Sequence, residues 1–172
     1  DVIHVSTSLV GMVDAAIGGK TGVNLPAGKN LVGAFWQPKA VICDTAFLAT
    51  LPSKELRCGH GEMAKYHFLT GDDLVSLDLD DRVARCAQIK ADIVSSDERE
   101  GGLRALLNYG HTLGHAIEIE TNFALAHGEA VAIGLIFASK LAHSLGRIPK
   151  ERVDDHLRIV GETYGLQTAI PK

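Results

Sequence analysis

The pattern of hydrophobic and polar positions changes near residue 50 of this 172-residue chain. Before that point, two short runs rich in β-branched residues, 2–6 (VIHVS) and 39–44 (KAVICD), are separated by a stretch dense in glycine and proline. Such runs bounded by turn formers are typical of strands. After it, apolar residues recur at intervals of three and four, which is the period of an amphipathic helix.

Helical periodicity continues through the rest of the chain. Ser53 belongs to the residue types that cap helix N-termini, so the first helix is predicted to begin there. Four further helices are predicted over 81–95, 104–120, 128–145 and 150–164. Gly146 and Gly165 are predicted to end the last two. The segment after His127 is apolar almost all round, which favours a central helix over a surface one.

These elements predict an α/β segment followed by a mainly α-helical domain. We place the boundary so that residues 1–52 form the end of the α/β unit and residues 53–172 form the helical domain. The chain starts directly in a predicted strand and without an initiator methionine. We therefore expect a fragment, with sequence missing before Asp1 and after Lys172.

Composition narrows the classes of partner. The formal charge of −4 gives no general attraction for nucleic acid or for an anionic membrane, so any cationic site has to be assembled locally. Apolar runs are interrupted well short of a membrane span. The three cysteines form no C-x-x-C pair, which fits reduced thiols in a cytoplasmic protein. We expect a soluble cytoplasmic protein that binds neither nucleic acid nor membrane.

The stretch GGLRALLNYGHTLGHAIEIE carries four polar residues within an apolar run. Arg104, Asn108, His111 and His115 are spaced i, i+4, i+7 and i+11, which on one continuous helix places them on a single face. Burying these polar groups together would cost roughly several kcal/mol unless each had a hydrogen-bonding or charged partner. The spacing therefore predicts a bound ligand or ion at this face.

A metal is one candidate ligand. Glu62, His111 and His127 could supply a carboxylate and two imidazoles from three helices, which is a donor set that catalytic zinc uses while leaving a position for substrate. Neither H-E-x-x-H nor a paired cysteine motif supports it, and a single buried histidine is more often a hydrogen-bonded core residue. His127 could also simply cap the helix that follows it.

Several cations suggest an anionic ligand. The segment 13–30 contains G-K-T, but Asp14 stands where a P-loop requires glycine, so the motif does not predict an NTPase. What remains is a glycine-rich turn with three donors for an anion, namely Lys20, Lys29 and Asn30. A solvent-exposed hairpin with ordinary surface lysines is the alternative. Taken together, the cations Lys20, Lys65, Lys90 and Arg104 favour a substrate with more than one negative group. The segment SSDERE, by contrast, is typical of a solvated acidic turn.

Four segments in this order resemble a known family. They are VDAAIGGKTGVNLPAGKNLVGAFWQP, GEMAKY, DEREGGLRALLNYGHTLGHAIE and HGEAVAIG. Together they resemble the 3-dehydroquinate synthase family of the shikimate pathway, over most of the chain from about Val5 to Gly146. The resemblance implies a lyase of aromatic amino acid biosynthesis that works as a homodimer. It also implies an N-terminal NAD-binding domain, a helical metal-binding domain and an active site between them.

The resemblance also assigns residues. It implies zinc ligands, with cobalt as a substitute metal, at Glu62, His111 and His127. It implies substrate contacts at Lys65, Lys90, Arg104, Asn108 and His115, and a turn where substrate and cofactor meet at Asp14, Lys20 and Asn30. It implies NAD contacts at Thr7, Ser8, Lys29 and the segment FLAT, which runs from Phe47 to Thr50.

His60 and His67 depart from the small or aliphatic residues usual around the zinc-binding glutamate. The family's glycine-rich loop, a lysine near its C-terminus and an arginine of the dimer partner have no match, so the fragment alone is expected to be inactive.

The implied reaction converts 3-deoxy-D-arabino-heptulosonate 7-phosphate into 3-dehydroquinate and phosphate. NAD oxidises a ring hydroxyl, phosphate is eliminated, the hydride returns, and an aldol step closes the carbocycle. We expect Arg104 and Lys90 to bind the carboxylate, Lys20, Asn30 and Asn108 to bind the phosphate, and His115 to move a proton. Other sugar-phosphate cyclases that make an inosose or a valiolone, a metal-dependent polyol dehydrogenase, and a non-catalytic helical module with a structural metal remain as alternatives.

Overall fold

Two pairs of strands form in the first quarter of the chain. In this computed structural model, which describes residues 1–26 and 28–170, β1 (Ile3–Ser6) pairs in parallel with β4 (Ala40–Cys43), and β2 (Val23–Leu25) pairs antiparallel with β3 (Gly28–Val32). The strands predicted at 2–6 and 39–44 are thereby confirmed. The side chains of residues 24, 29 and 30 lie outside the described part, and so do the predicted roles of the Lys29 and Asn30 side chains.

The remainder of the described chain is mostly helical, which confirms the predicted fold class. The helices are α1 (Ser53–Thr70), α2 (Leu79–Ser96), α3 (His111–Glu120), α4 (His127–Ser144) and α5 (Lys150–Leu157), the last continuing into a wider turn at Arg158–Thr163. Gly146 and Gly165 follow the last two in the left-handed conformation, as predicted. The expected cap at Ser53 is wrong, because Pro52 occupies the N-cap position and Ser53 is the first helical residue.

The predicted continuous helix over 104–120 is also wrong. The segment Leu103–Asn108 forms a 3-10 helix, Gly110 adopts a left-handed φ of 79°, and α3 begins only at His111. A side chain at Gly110 would be strained by that φ, and its Cβ would lie 2.9 Å from the carbonyl oxygen of Val131 on α4. Arg104 and Asn108 therefore do not share one helical face with the histidines of α3.

Helix α4 is central, as its apolar sequence predicts. Seven consecutive residues of α4, 130–136, are buried, and so is Gly128 in its first turn. The main core joins the helices to the segment after β1, which contributes Leu9, Met12 and Val13. The domain boundary at residues 52 and 53 stays a prediction, and the core crosses it. Among the described residues, no helix is long and apolar enough to cross a membrane.

Candidate active site

The three candidate metal ligands come from three different helices. Glu62 lies in the interior of α1, His111 is the first residue of α3 and His127 is the first residue of α4. Helices α1 and α4 approach each other at Gly61 and Gly128, where a Cβ on Gly61 would lie only 2.2 Å from the Gly128 carbonyl oxygen. Because Glu62 and His127 are the neighbours of these glycines, the close backbone contact brings their side chains together.

The donor atoms of these ligands converge. Oε1 of Glu62 lies 3.1 Å from Nε2 of His127 and 3.4 Å from Nε2 of His111, and the three residues form a group whose donor atoms all lie within 4.8 Å of one another. A tetrahedral ion with bonds of about 2.0 Å holds its donors about 3.3 Å apart. The donor chemistry and the spacing therefore both fit a divalent metal such as zinc.

The other oxygen of Glu62 belongs to a buried charge network. Oε2 of Glu62 accepts a hydrogen bond from Lys65, whose Nζ lies 3.6 Å from Oδ1 of Asp14. Lys90 donates to the same Oδ1 at 2.8 Å and to the Asp14 carbonyl at 2.6 Å, and the Tyr66 hydroxyl donates to Oδ1 at 3.1 Å. Two carboxylates and two ammonium groups balance each other, which makes their burial tolerable.

The electrostatics keep the two carboxylates ionised. Burial by itself raises the pKa of Glu62, but the Lys65 ammonium and the hydrogen bonds from His111 and His127 outweigh it and hold that pKa well below its usual range. Burial likewise raises the pKa of Asp14, and attraction by Lys65 and Lys90 brings it below the usual value. Glu62 is thus in the form that binds a metal cation.

A cleft with cationic walls adjoins this network. It has a volume of about 590 Å³, and its lining includes Asp14, Lys20, Lys90 and Arg104, so Asp14 and Lys90 belong to both the cleft and the charge network. This volume is in the range of small-molecule sites, about 300–1,000 Å³. The structure therefore brings together Lys20, Lys90 and Arg104, which the sequence singled out one by one.

Of the two candidates on the 3-10 helix, Arg104 lines the cleft, whereas Asn108 lies outside its lining and is linked to Lys20 through Glu100. The Arg104 guanidinium is buried, donates to the carbonyl oxygens of Glu98 and Gly18, the latter at 2.7 Å, and lies over the ring of Phe35. Lys20 and Asn108 both bind Glu100, at 2.5 Å and 2.8 Å. The role of Arg104 in binding a carboxylate stays a prediction, because here its guanidinium meets backbone carbonyls.

The predicted NAD residues lie at one edge of the parallel strand pair. Thr7 and Ser8 follow β1, and the 3-10 helix Thr45–Thr50, which contains Phe47, follows its parallel neighbour β4. The C-terminal ends of parallel strands meet at the same edge, where nucleotides bind in open α/β sheets. Thr7, Phe47 and Thr50 are exposed there. The arrangement is compatible with NAD, and the individual contacts stay predictions.

Comparison with known proteins identifies the family. The protein-family model described as "3-dehydroquinate synthase C-terminal" matches residues 40–172. The family model described as "3-dehydroquinate synthase N-terminal" matches residues 1–58. The chain belongs to the 3-dehydroquinate synthase family. The resemblance inferred from the four sequence segments is thereby confirmed.

Curated relatives of this family cover nearly the whole chain. A protein of Amycolatopsis mediterranei (strain S699), provisionally named aminodehydroquinate synthase, is 57% identical over 99% of this chain and 48% of its own length. The 3-dehydroquinate synthase of Nostoc punctiforme is 46% identical over 99% of this chain and 52% of its own length. The chain thus spans about half the length of the curated relatives it matches.

Solved structures give the same fold. A 2-deoxy-scyllo-inosose synthase, complexed with carbaglucose-6-phosphate, NAD+ and Co2+, matches 98% of this chain and 50% of its own with a TM-score of 0.88 at 31% identity. A 2-epi-5-epi-valiolone synthase from Streptomyces hygroscopicus subsp. jinggangensis 5008, with NAD+ and Zn2+ bound, matches 98% of this chain and 51% of its own with a TM-score of 0.80 at 30% identity. Members of the family with different products therefore share this architecture.

Two histidines that depart from the family pattern are half-buried and pack against aromatic rings. The His60 ring packs 5.2 Å from the Tyr164 ring, and the His67 ring lies edge-on to Phe68 at 5.2 Å. Burial lowers the pKa of both imidazoles. Neither residue belongs to the groups of potential metal donors found in the described part of the chain.

Sequence reasoning missed several residues of this family site. Glu100 bridges Lys20 and Asn108, so the expectation of a merely solvated acidic turn at SSDERE is wrong. Glu118 lies 3.4 Å from the His127 ring, and its position seven residues after His111 on α3 was a signal for a shared face. Tyr66 binds Asp14, and nothing in the spacing along the chain indicated that contact.

Proposed function

We propose that the full-length protein is a 3-dehydroquinate synthase that converts 3-deoxy-D-arabino-heptulosonate 7-phosphate into 3-dehydroquinate and phosphate. One observation carries the proposal: Asp14 and Lys90 line the cationic cleft and also belong to the charge network that holds the metal-binding Glu62. A bound anionic sugar would thus lie beside a metal donor set. The proposed enzyme is a cytoplasmic homodimer in the shikimate pathway, with no nucleic-acid or membrane partner.

The chemistry of the substrate accounts for the cations. It carries a carboxylate and a phosphate, and an acidic chain with a formal charge of −4 must provide local positive charge to bind both. We assign Lys90 and Arg104 to the carboxylate, and Lys20 and Asn108 with Asn30 to the phosphate. In this assignment, Lys20 and Asn108 exchange Glu100 for the phosphate on binding. Lys20 is well placed for such an exchange because its side chain is 48% exposed.

The protein's residues orient the reacting groups. When bound, NAD supplies reversible hydride transfer and a divalent metal polarises a sugar oxygen. Glu62, His111 and His127 hold the metal, while Lys65 stays charged between Glu62 and Asp14 because both carboxylates raise its pKa against the effect of burial. The exposed His115 ring lies 5.2 Å from the His111 ring, so we assign it to moving a proton between the substrate and solvent.

A related reaction is the second candidate. The relative provisionally named aminodehydroquinate synthase is 57% identical to this chain, against 46% for the Nostoc 3-dehydroquinate synthase. Its name denotes an amino-substituted dehydroquinate as the product. The carboxylate and the phosphate would make the same demands on the cleft in both reactions, so the two candidates differ in one substituent on the carbon skeleton.

The first test is phosphate release by the full-length protein with NAD and zinc. We expect release from 3-deoxy-D-arabino-heptulosonate 7-phosphate without net NADH, and a drop of at least about 100-fold on chelation or in His111→Ala, because the metal contributes several kcal/mol to such reactions. His143→Ala, at an exposed histidine of α4, is the matched control and should retain activity.

Parallel substrates separate the candidates. Preferred turnover of an amino-substituted analogue would assign the second candidate, and turnover of a hexose 6-phosphate, which lacks a carboxylate, would indicate an inosose-type cyclase. Stoichiometric NADH released from a polyol would indicate a dehydrogenase. Any of these three results would contradict the proposal if the same metal-loaded protein were inactive on 3-deoxy-D-arabino-heptulosonate 7-phosphate.

A further inference from the structure

The His127 imidazole lies between two carboxylates. Its Nε2 is 3.1 Å from Oε1 of Glu62 on α1, and its Nδ1 is 3.4 Å from Oε2 of Glu118 on α3. Glu118 is only 4% exposed, although it is a charged residue on a short helix. A buried carboxylate is stable only with partners that compensate its charge, and the His127 ring is one such partner.

The second imidazole ligand shows a parallel arrangement. Nδ1 of His111 lies 3.1 Å from the carbonyl oxygen of Tyr109, while its Nε2 lies 3.4 Å from Oε1 of Glu62. A carbonyl oxygen only accepts, so Nδ1 of His111 carries a hydrogen. In the neutral, metal-binding form of the ring, Nε2 then holds the lone pair, and the metal would replace the hydrogen bond to Glu62. Both imidazoles thus direct Nε2 to the same oxygen of Glu62 and hold Nδ1 against an oxygen acceptor.

We infer that Glu118 is a positioning residue for the metal ligand His127. Its carboxylate accepts the Nδ1 hydrogen, which fixes the tautomer of His127 and the direction in which Nε2 points. This inference rests on the metal site of the proposed function and deepens it. Carboxylates that orient metal-bound histidines in this way raise the basicity of the ligand, and their loss costs about 10- to 100-fold in metal affinity.

The same atoms raise an alternative in which Glu118 binds metal directly. His115, Glu118 and His127 form a second group of donors whose atoms lie within 4.8 Å of one another, and it shares His127 with the first group. A neutral imidazole has only one nitrogen with a free lone pair, so His127 cannot serve both groups unless it loses a second proton. Because Glu62 and His111 supply the other donors on the Nε2 side of His127, we expect the metal to bind Nε2. Nδ1 is then the hydrogen donor to Glu118.

The test measures metal binding by the full-length protein. Zn2+ and Co2+ dissociation constants are determined by competition with a chromophoric chelator for the wild type, Glu118→Gln and the matched control Glu120→Gln, which changes an exposed glutamate on the same helix. We expect one metal per chain in all three, with affinity about 10- to 100-fold weaker in Glu118→Gln alone. The Co2+ absorption spectrum should keep its intensity, because no ligand is lost.

Two results would overturn the inference. One is an unchanged affinity in Glu118→Gln, and the other is a second bound metal that disappears in both Glu118→Gln and His115→Ala. Should Glu118→Gln fail to fold, Glu118→Asp keeps the charge but withdraws the oxygen from Nδ1, and unchanged affinity there would equally overturn the inference. The variant His111→Ala tests the metal site itself. If this variant binds metal as tightly as the wild type, the result contradicts the metal site of the proposed function as well as the role of Glu118.

Discussion

His156 lies in a part of the core that accommodates only its neutral form. Its Nδ1 lies 2.6 Å from the Arg152 carbonyl oxygen, which can only accept, so Nε2 accepts the hydrogen bond of the Tyr109 hydroxyl at 2.8 Å. The ring stacks on Phe68 with centroids 3.6 Å apart and is 2% exposed. Burial lowers the pKa of His156 to about 4; the Arg152 carbonyl and Asp155 oppose this shift, whereas the Arg152 and His67 side chains add to it.

This depressed pKa predicts a pH-dependent stability. Between about pH 6.5 and pH 4 the unfolded chain binds a proton at His156 that the folded chain does not, so the stability contributed by the neutral ring is complete above that window and is lost as the pH falls through it. The loss should reach on the order of 3 kcal/mol in the free energy of unfolding. Denaturant unfolding at a series of pH values measures it.

The substitution His156→Gln removes the titrating group. The variant should be less stable than the wild type at neutral pH, and the difference between them should shrink as the pH falls towards 4. The exposed His143→Gln variant should follow the wild type throughout. A difference between wild type and His156→Gln that does not change with pH would contradict the prediction, because it would show that His156 has the same pKa in the folded and unfolded chain.

At the scale of elements, the contact between α1 and α4 sets the spacing of two metal ligands. A Cβ on Gly128 would lie 2.2 Å from the carbonyl oxygen of Cys58, which is backbone and cannot rotate away. We expect Gly128→Ala to push the helices apart, to lower the free energy of unfolding by about 1–3 kcal/mol, and to weaken metal binding because Glu62 and His127 separate. Chemical denaturation and metal titration measure the two effects.

A glycine with room around it is the control for this prediction. At Gly101, a Cβ would meet only the Asp97 carboxylate oxygen at 3.6 Å, which is ordinary contact. Gly101→Ala should therefore leave stability and metal affinity nearly unchanged. Wild-type affinity in Gly128→Ala would mean that the ligands, and not the helix contact, determine their own spacing.

Much of the element order could be predicted because periodicity reports burial along one element. Helix α4 illustrates this, since its all-round apolar sequence indicated its central place. The break before α3 could not be predicted in the same way. Gly110 stands in a run that keeps helical spacing, and the need for its left-handed φ arises from α4, which is distant in sequence.

The candidate site, too, could be predicted from the sequence only in part. Glu62, His111 and His127 could be proposed from their residue types and from the family resemblance, and the structure brings their donor atoms together. Glu100 could not be singled out, because it acts through Lys20, which lies 80 residues away in sequence and close only in the fold. Glu118 carried the signal of a face shared with His111, but its contact with His127 on the next helix is set by tertiary packing. Residue type indicates what a side chain can do, whereas its partner is fixed by tertiary contacts.

At the scale of the whole molecule, the proposed metal site would link separate helices. Its ligands lie on α1, α3 and α4, which are joined to one another only through packing and loops. Zinc that binds the folded state alone should stabilise it by about 2.7 kcal/mol at a free concentration 100-fold above the dissociation constant. We expect a corresponding rise in Tm when zinc is added to chelator-treated full-length protein, measured by thermal unfolding.

The variant His111→Ala distinguishes this effect from general binding of zinc to the surface. Without one of its three ligands the site should bind zinc weakly, and the rise in Tm should largely disappear. An equal rise in the wild type and in His111→Ala would place the stabilising ion elsewhere on the molecule.

The contact between Gly61 and Gly128 also bears on how this fold diversifies. The donor set depends on two backbones that touch without intervening side chains, so almost any replacement there disturbs it. The cleft beside it is lined by side chains such as Lys20 and Arg104, which can be exchanged one at a time. Under the proposed function, substitutions in the cleft can change which sugar phosphate is accepted without disturbing the helix contact, and enzymes named for different products retain TM-scores of 0.80 and 0.88 to this chain.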